Sequence, residues 1–266
     1  MSKDDVKQGF LGELWRYREL LYFFAWREIK VRYRQSALGA AWALIQPVLS
    51  MVIFTVLFGK LAHMPSDGVP YPIFVYCALL PWTYFSGVLA MASNSLVNND
   101  QLLTKVYFPR VLLPAGTAVA GMLDFAIGSL LLVGLMSYYH VVPRWAVLLS
   151  PLVVLVMVVL TTGISMVTAA VNVRYRDVRY ALPFVIQVWM FVTPIIYPVS
   201  FIPRRFQALL ALNPCWGMIE GFRACLLPGP PANFTLIGTS VAVTLALFFG
   251  GFYYFRRAEK NFADVI

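Results

Sequence analysis

The sequence predicts an all-α integral membrane protein. Six transmembrane helices follow an amphipathic N-terminal interface helix, and a re-entrant external helical hairpin lies between helices five and six. Three observations predict this. Of 266 residues, 60% are hydrophobic and 12% charged, about half the charge of an ordinary soluble domain, roughly 25%. Six apolar runs reach the ~20 residues that a hydrocarbon core of ~30 Å demands. Of the 21 Lys and Arg, 16 fall on one side of the topology those runs imply.

In chain order, residues 1–35 read as a cytoplasmic N-terminal segment, 36–255 as the six-helix membrane domain and 256–266 as a cytoplasmic tail, together one domain over 1–266. Phe10, Leu14, Tyr17, Leu21 and Phe24 share one helical face. Glu13, Arg16 and Glu19 lie off that stripe, and Trp15 and Tyr22 suit the headgroup level. This is the pattern of a helix lying along the membrane surface, serving as an anchor or shaping substrate access. The same stretch holds no short apolar run ending in a small-residue cleavage site, so the first span is expected to be its own insertion signal.

Spans are expected at 36–59, 73–97, 111–137, 145–171, 181–199 and 233–255. The apolar stretch 206–227 is broken at Asn213-Pro214 and carries Glu220 and Arg223. A charge at the bilayer centre costs about 2.5–3.5 kcal/mol on insertion scales, so this stretch reads as a hairpin that protein buries. With six spans both termini share a side with Lys105, Arg110, Arg174, Arg176, Arg179, Arg256, Arg257 and Lys260. Lys60, Arg144, Arg204, Arg205 and Arg223 fall opposite. The excess of cations places the termini in the cytoplasm, whereas a seventh span would strand the C-terminal cations outside. Pro47, Pro81, Pro183 and Pro194 predict kinks within spans. Pro194 and Pro198 around Tyr197 predict irregular helix at the outer end of the fifth.

The chemistry-bearing patterns are few. No G-x-x-x-x-G-K-[ST] occurs; Gly59-Lys60 lacks both the upstream glycine and the following hydroxyl, so no nucleotide phosphate is cradled by that device. No catalytic set and no metal site are expected. Cys77, Cys215 and Cys225 form no C-x-x-C pair, and His63 and His140 lie far apart in short polar loops. Cys215 and Cys225 read either as packed free thiols or as a pair able to meet on an oxidising face. Asp124 is the one clear charge within a span. It reads either as a proton site or as a neutral packing residue bonded to Ser or Thr of a neighbouring helix. Energy for any driven transport is therefore expected to enter from outside this chain, and no nucleic-acid partner is expected.

Five ordered motifs go further. Lys105-Val106-Tyr107-Phe108-Pro109-Arg110-Val111-Leu112-Leu113-Pro114 sits between the second and third spans. Asn172-Val173-Arg174-Tyr175-Arg176-Asp177 precedes the fifth, and Thr193-Pro194-Ile195-Ile196-Tyr197-Pro198 closes it. Asn213-Pro214 and Glu220-Gly221-Phe222-Arg223 follow. Their order and spacing, over nearly the whole chain, resemble the permease subunits of type-2 ABC exporters, closest to the branch exporting O-antigen, teichoic acid and capsule polymers. The resemblance implies a transmembrane subunit of an ATP-driven exporter moving a lipid-linked polysaccharide across the bacterial inner membrane. It implies a homodimer of this chain with two copies of an ABC ATPase that carries ATP and Mg; this chain itself holds no cofactor. The carrier in the family is often undecaprenyl diphosphate.

Candidate site residues follow. Arg27, Lys30, Arg32 and Arg34 put four cations beside the first span, where they serve as a topology signal or as a landing site for a carrier diphosphate. By resemblance, Asp100, Leu102, Leu103, Lys105, Val106 and Tyr107 form the loop that couples to the ATPase; Leu102, Leu103 and Val106 would otherwise lack a burial partner. Trp42 and Gln46 on the first span, and Gln187, Met190, Pro194 and Tyr197 on a helical stripe of the fifth, are conduit-lining candidates by resemblance, with aromatic faces suited to sugar C–H surfaces. Glu220 and Arg223, three apart, can pair, as a structural bridge of the outer hairpin or part of an external gate. The architecture alone also accommodates a drug or lipid permease, a membrane transferase or a proton-coupled carrier.

Overall fold

The computed structural model describes residues 12, 15–34, 41–105, 108–143, 145–229, 233–260 and 262. Among these, every regular element is helical. Helix α1 is Arg18–Arg34. Helix α2, Trp42–Phe54, continues as a wider π-helical stretch over Thr55–Leu61. Then come α3, Tyr71–Ala92, and the short α4, Asp100–Lys105. Next are α5, Leu112–Tyr138, and α6, Ser150–Arg174, led in by a 3-10 turn over Trp145–Leu149. Helix α7 is Val178–Val192, α8 Arg204–Ala211, α9 Pro214–Leu226 and α10 Phe234–Glu259.

Helix starts follow local chemistry. Pro72, Pro151 and Pro214 occupy the first turns of α3, α6 and α9, where a missing N–H costs nothing. The Asn213 side chain accepts from the Cys215 N–H at 3.1 Å and Asn233 from the Leu236 N–H at 3.3 Å, capping α9 and α10. Helix α3 ends at Ala92, short of the expected 97. Ser93 and Asn94 bond back to the Ala90 carbonyl and Ser95 to that of Ala92, local bonds that compete with the helical ladder.

Among the described residues, five helices are long and apolar enough to cross a membrane: Trp42–Leu61, Tyr71–Ala92, Leu112–Tyr138, Trp145–Arg174 and Phe234–Glu259. The expected fifth span, 181–199, differs. Its helix α7 has 15 residues, about 22 Å at 1.5 Å per residue, short of the ~30 Å core. Thr193 turns to extended backbone (φ −92°, ψ 133°) ahead of Pro194, because a residue before proline is pushed out of the α region. The expected irregular outer end is present and begins at Thr193, so Pro194, expected as a kink within a helical span, lies beyond the end of α7.

Helix α3 is the centre of the bundle: 78% of its most apolar stretch is buried, against 11% for α2. Antiparallel α3 and α5 close on glycine. A Cβ on Gly121 would meet Val88 Cγ2 at 2.4 Å and one on Gly128 would meet Leu80 Cδ1 at 2.5 Å. Tyr84 and Tyr76 donate their hydroxyls to the carbonyls of Ala118 and Gly128, both at 3.0 Å. Helices α6 and α10 touch backbone to backbone: a Cβ on Gly251 would stand 2.4 Å from the Gly163 carbonyl oxygen. Lipid tails are as apolar as the side chains they would replace, so close packing through small residues supplies the association. A second buried cluster at the end of the bundle that carries most Lys and Arg joins Phe24, Leu103, Phe108, Val111, Met166 and Phe255.

Helix α1 packs along α5. Phe24 lies against Gly116, and eight residues later Arg32 reaches Asp124, again eight residues on. Equal advance means the two helices run parallel. Of the expected apolar stripe, Phe10 and Leu14 lie outside the described residues. Tyr17, Leu21 and Phe24 face the second cluster, while Trp15 and Tyr22 are exposed.

Candidate functional site

At the basic end, the four cations of α1 have different fates. Arg27 donates to Asn99 Oδ1 at 2.7 Å, and Asn99 is itself held by the Ser95 carbonyl at 2.7 Å. Arg32 forms an ion pair with Asp124 and a second contact with Met91 Sδ at 3.0 Å. Lys30 stands over the Trp26 ring at 5.6 Å, and both it and Arg34 are exposed. Tyr33 donates its hydroxyl to the other Asp124 oxygen. Burial, and after it the bond to Asp124, push the Tyr33 phenol up to about 12, so it remains a donor at any physiological pH. Asp124 thus differs from the expected packing partner: it is held by a cation and a phenol from the segment before the first span, not by Ser or Thr of a neighbouring span.

The connection between α3 and α5 is anchored on its own chain. Asp100 is exposed, Leu102 is partly buried and Leu103 is 8% exposed within the second cluster. The expectation that these leucines lack a burial partner is corrected: the chain supplies one through the cluster that Phe24, Phe108 and Val111 share. Phe24 and Phe108 rings lie 5.3 Å apart. Val106 and Tyr107 lie outside the described residues, as does the side chain of Lys105. A contact the sequence reading missed ties this connection to α10: the Arg110 N–H donates to Glu259 Oε1 at 3.0 Å and its guanidinium to the Glu259 carbonyl at 2.9 Å. The available signal was Glu259 as the lone acid among Arg256, Arg257 and Lys260.

The conduit candidates divide. Trp42 and Gln46 on α2 and Gln187 on α7 are exposed. Met190 is partly buried against the main core. Pro194 is buried and Tyr197 partly so, its hydroxyl near the Phe191 carbonyl at 3.4 Å. The four-residue stripe does not hold together, because α7 ends at Val192 and helical periodicity ends with it. Asn213 braces that end: its Oδ1 accepts from Trp189 Nε1 at 2.9 Å and its Nδ2 donates to Thr193 Oγ1 at 3.0 Å.

At the opposite end, Arg223 and Glu220 pair at 3.9 Å, but the shorter bonds of Arg223 go elsewhere. Its side chain is buried over the Phe74 ring, 3.7 Å from the centroid. It donates to the carbonyls of Pro194 at 2.8 Å, Ile195 at 2.6 Å and Phe74 at 3.4 Å. Tyr71 donates to Ile196 O at 2.7 Å. The carbonyls of Pro194, Ile195 and Ile196, freed where α7 unwinds, are therefore met by side chains from α3 and α9. Cys77, Cys215 and Cys225 are buried free thiols. Cys215 and Cys225 sit ten positions apart on one straight helix, about 15 Å along its axis, far beyond disulfide reach.

Comparison with known proteins supplies the remaining facts. The family described as ABC-2 type transporter matches residues 19–227. The chain is similar to the O-antigen export system permease protein RfbA of Myxococcus xanthus, 31% identical over 96% of this chain and 98% of that protein. It is similar to the protein of the same name from Klebsiella pneumoniae, 25% identical over 93% and 95%. The polysialic acid transport protein KpsM of Escherichia coli is 23% identical over 88% and 91%.

Proposed function

This chain belongs to the ABC-2 type transporter family, and from that premise we propose that it is the membrane-spanning subunit of an ATP-driven exporter of lipid-linked polysaccharide in the bacterial inner membrane. The observation that carries the reading is coverage. Relatives matched over nearly their whole length are named for O-antigen export and polysialic acid transport.

A separate ABC ATPase, in two copies with ATP and Mg, drives the cycle, because this chain holds no phosphate loop. Both termini are cytoplasmic, α1 lies at the inner interface, and α7 with its unwound continuation serves as the fifth of six spans. Helices α8 and α9 form the re-entrant hairpin, tolerated because α3, α6 and α10 cover it. Two copies of the chain face each other through α2 and α7. Support lies in how little of those helices the chain itself buries: Pro47 alone in α2, Leu182 and Ile186 in α7. Trp42, Gln46 and Gln187 then line the conduit. Lys30 and Arg34, exposed, receive the carrier diphosphate, and the 98–110 connection passes on the motion of the ATPase.

The test is transport by the purified complex of this chain and its ATPase in vesicles loaded with a lipid-linked glycan. ATP-dependent appearance of the glycan on the far face is expected. Movement that ignores ATP, or none with any polymer offered, would overturn the reading.

A further inference from the structure

Asp124 is the single charged residue of the 27-residue helix α5, set twelve positions from its start. Its two carboxylate oxygens are taken by neighbouring residues of α1: Oδ2 by Arg32, Oδ1 by Tyr33. Adjacent residues on a helix point about 100° apart. Their convergence on one carboxylate therefore fixes both the height of α1 along α5 and its rotation. Apolar burial does not do this. The buried residues of α1 are Phe24 and Ala25, two turns before the grip, and between Trp26 and Arg34 no residue is buried. Beyond the Arg27–Asn99 bond, the polar grip is what locates the last two turns of α1, which carry Lys30 and Arg34.

We propose that Asp124 is a positioning residue of the export reaction, holding α1 through Arg32 and Tyr33 so that Lys30 and Arg34 meet the carrier phosphates at a set depth beside the first span. The inference rests on the exporter reading above. Arg32, neutralised by Asp124, is a strut and not a phosphate ligand. A packing role alone is a distinct alternative, and an ion pair is weak evidence for stability: an apolar pair of similar volume commonly replaces one without loss.

That difference supplies the test. Arg32→Met with Asp124→Leu removes charge from an apolar helix, so the variant inserts as readily as the parent. With the ATPase complex in vesicles, this double variant and Asp124→Asn are expected to cut export of lipid-linked glycan at least fivefold and to raise the half-saturating glycan concentration several-fold. Basal ATP hydrolysis stays as in the parent in both, and so does the thermal stability of the double variant, whereas Asp124→Asn, which leaves Arg32 without its counter-ion, is expected to melt lower. The exchange Arg32→Asp with Asp124→Arg, which restores the pair in reverse, is expected to recover at least half of the parental rate. Parental export by the apolar pair, or an exchange no better than the single variants, would overturn the inference. A second readout needs no glycan. Val31, exposed on α1, is replaced by Cys and labelled with a charged thiol reagent; its labelling rate is expected to change several-fold on adding Asp124→Asn. Unchanged labelling would refute the positioning role whatever the transport result, while a parent that moves no glycan would sink the exporter reading and leave this readout standing.

Discussion

Replacing Gly251 with Ala tests the packing of α6 against α10. The added Cβ would lie 2.4 Å from the Gly163 carbonyl oxygen, a backbone atom that no rotamer change moves. Carbon–oxygen contacts settle near about 3.3 Å, so the helices must part by about 0.9 Å. A gap of that order forfeits roughly a quarter to a half of the dispersion energy of the atoms it separates, and overpacking of a close interface costs about 1–3 kcal/mol. Against this stands the helix preference of Ala over Gly, about 0.8–1.0 kcal/mol. The net expectation is a loss of up to about 2 kcal/mol, a factor of up to roughly 30 in the folded-to-unfolded ratio. Gly250→Ala is the internal control: it takes the same propensity gain, and its Cβ meets nothing within 4 Å. Thermal unfolding of the two variants in one detergent reads the difference, with Gly251→Ala melting below the parent and Gly250→Ala at or above it. Equal melting of the two would refute the claim that backbone contact at this glycine holds the helices together.

Three further outcomes follow from named contacts. Arg223→Leu strips donors from the Pro194 and Ile195 carbonyls. At about 1–3 kcal/mol for each buried group left without a partner, it should destabilise the protein by roughly 2–6 kcal/mol and open the 193–203 stretch to protease, with Arg223→Lys recovering less than half; unchanged melting would contradict the clamp. Because the folded Tyr33 phenol is raised to about 12, its contribution is fully present below the ordinary value of about 10 and is lost as pH rises from there through about 12; Tyr33→Phe should abolish that part of the alkaline fall in stability. Cys77, Cys215 and Cys225 are buried and free, so a membrane-permeant maleimide should label none of them in the folded protein and all three after denaturation, with or without prior reductant.

What was legible in the sequence was what periodicity and composition report. The Tyr17, Leu21 and Phe24 stripe did mark a buried face of α1, because a 3.6-residue repeat survives whether the face meets lipid or protein. The pattern could not say which; the structure gives it to the second cluster. Pro194 announced the break after α7, and the exclusion of the preceding residue from the α region already pointed to Thr193. The ion pair of Asp124 was illegible because its partner lies 92 positions away, and no local pattern links the two. Arg110 and Glu259, 149 positions apart, were hidden for the same reason. Leu103 was misjudged because a short apolar run between spans reports hydrophobicity and not its destination.

The guanidinium of Arg223 joins stretches of chain made at very different times. The carbonyl of Phe74 waits for 149 more residues before its donor exists, and those of Pro194 and Ile195 for nearly thirty. Synthesis runs from the N-terminus at about 5–20 residues per second, so this end of the molecule stays open for roughly 7–30 seconds after α3 emerges. It closes only when the last third of the polypeptide arrives. A ribosome that stops before Arg223 leaves a product whose basic end has its early contacts while the far end has not yet set, and insertion machinery would have to shelter those bare carbonyls in the meantime.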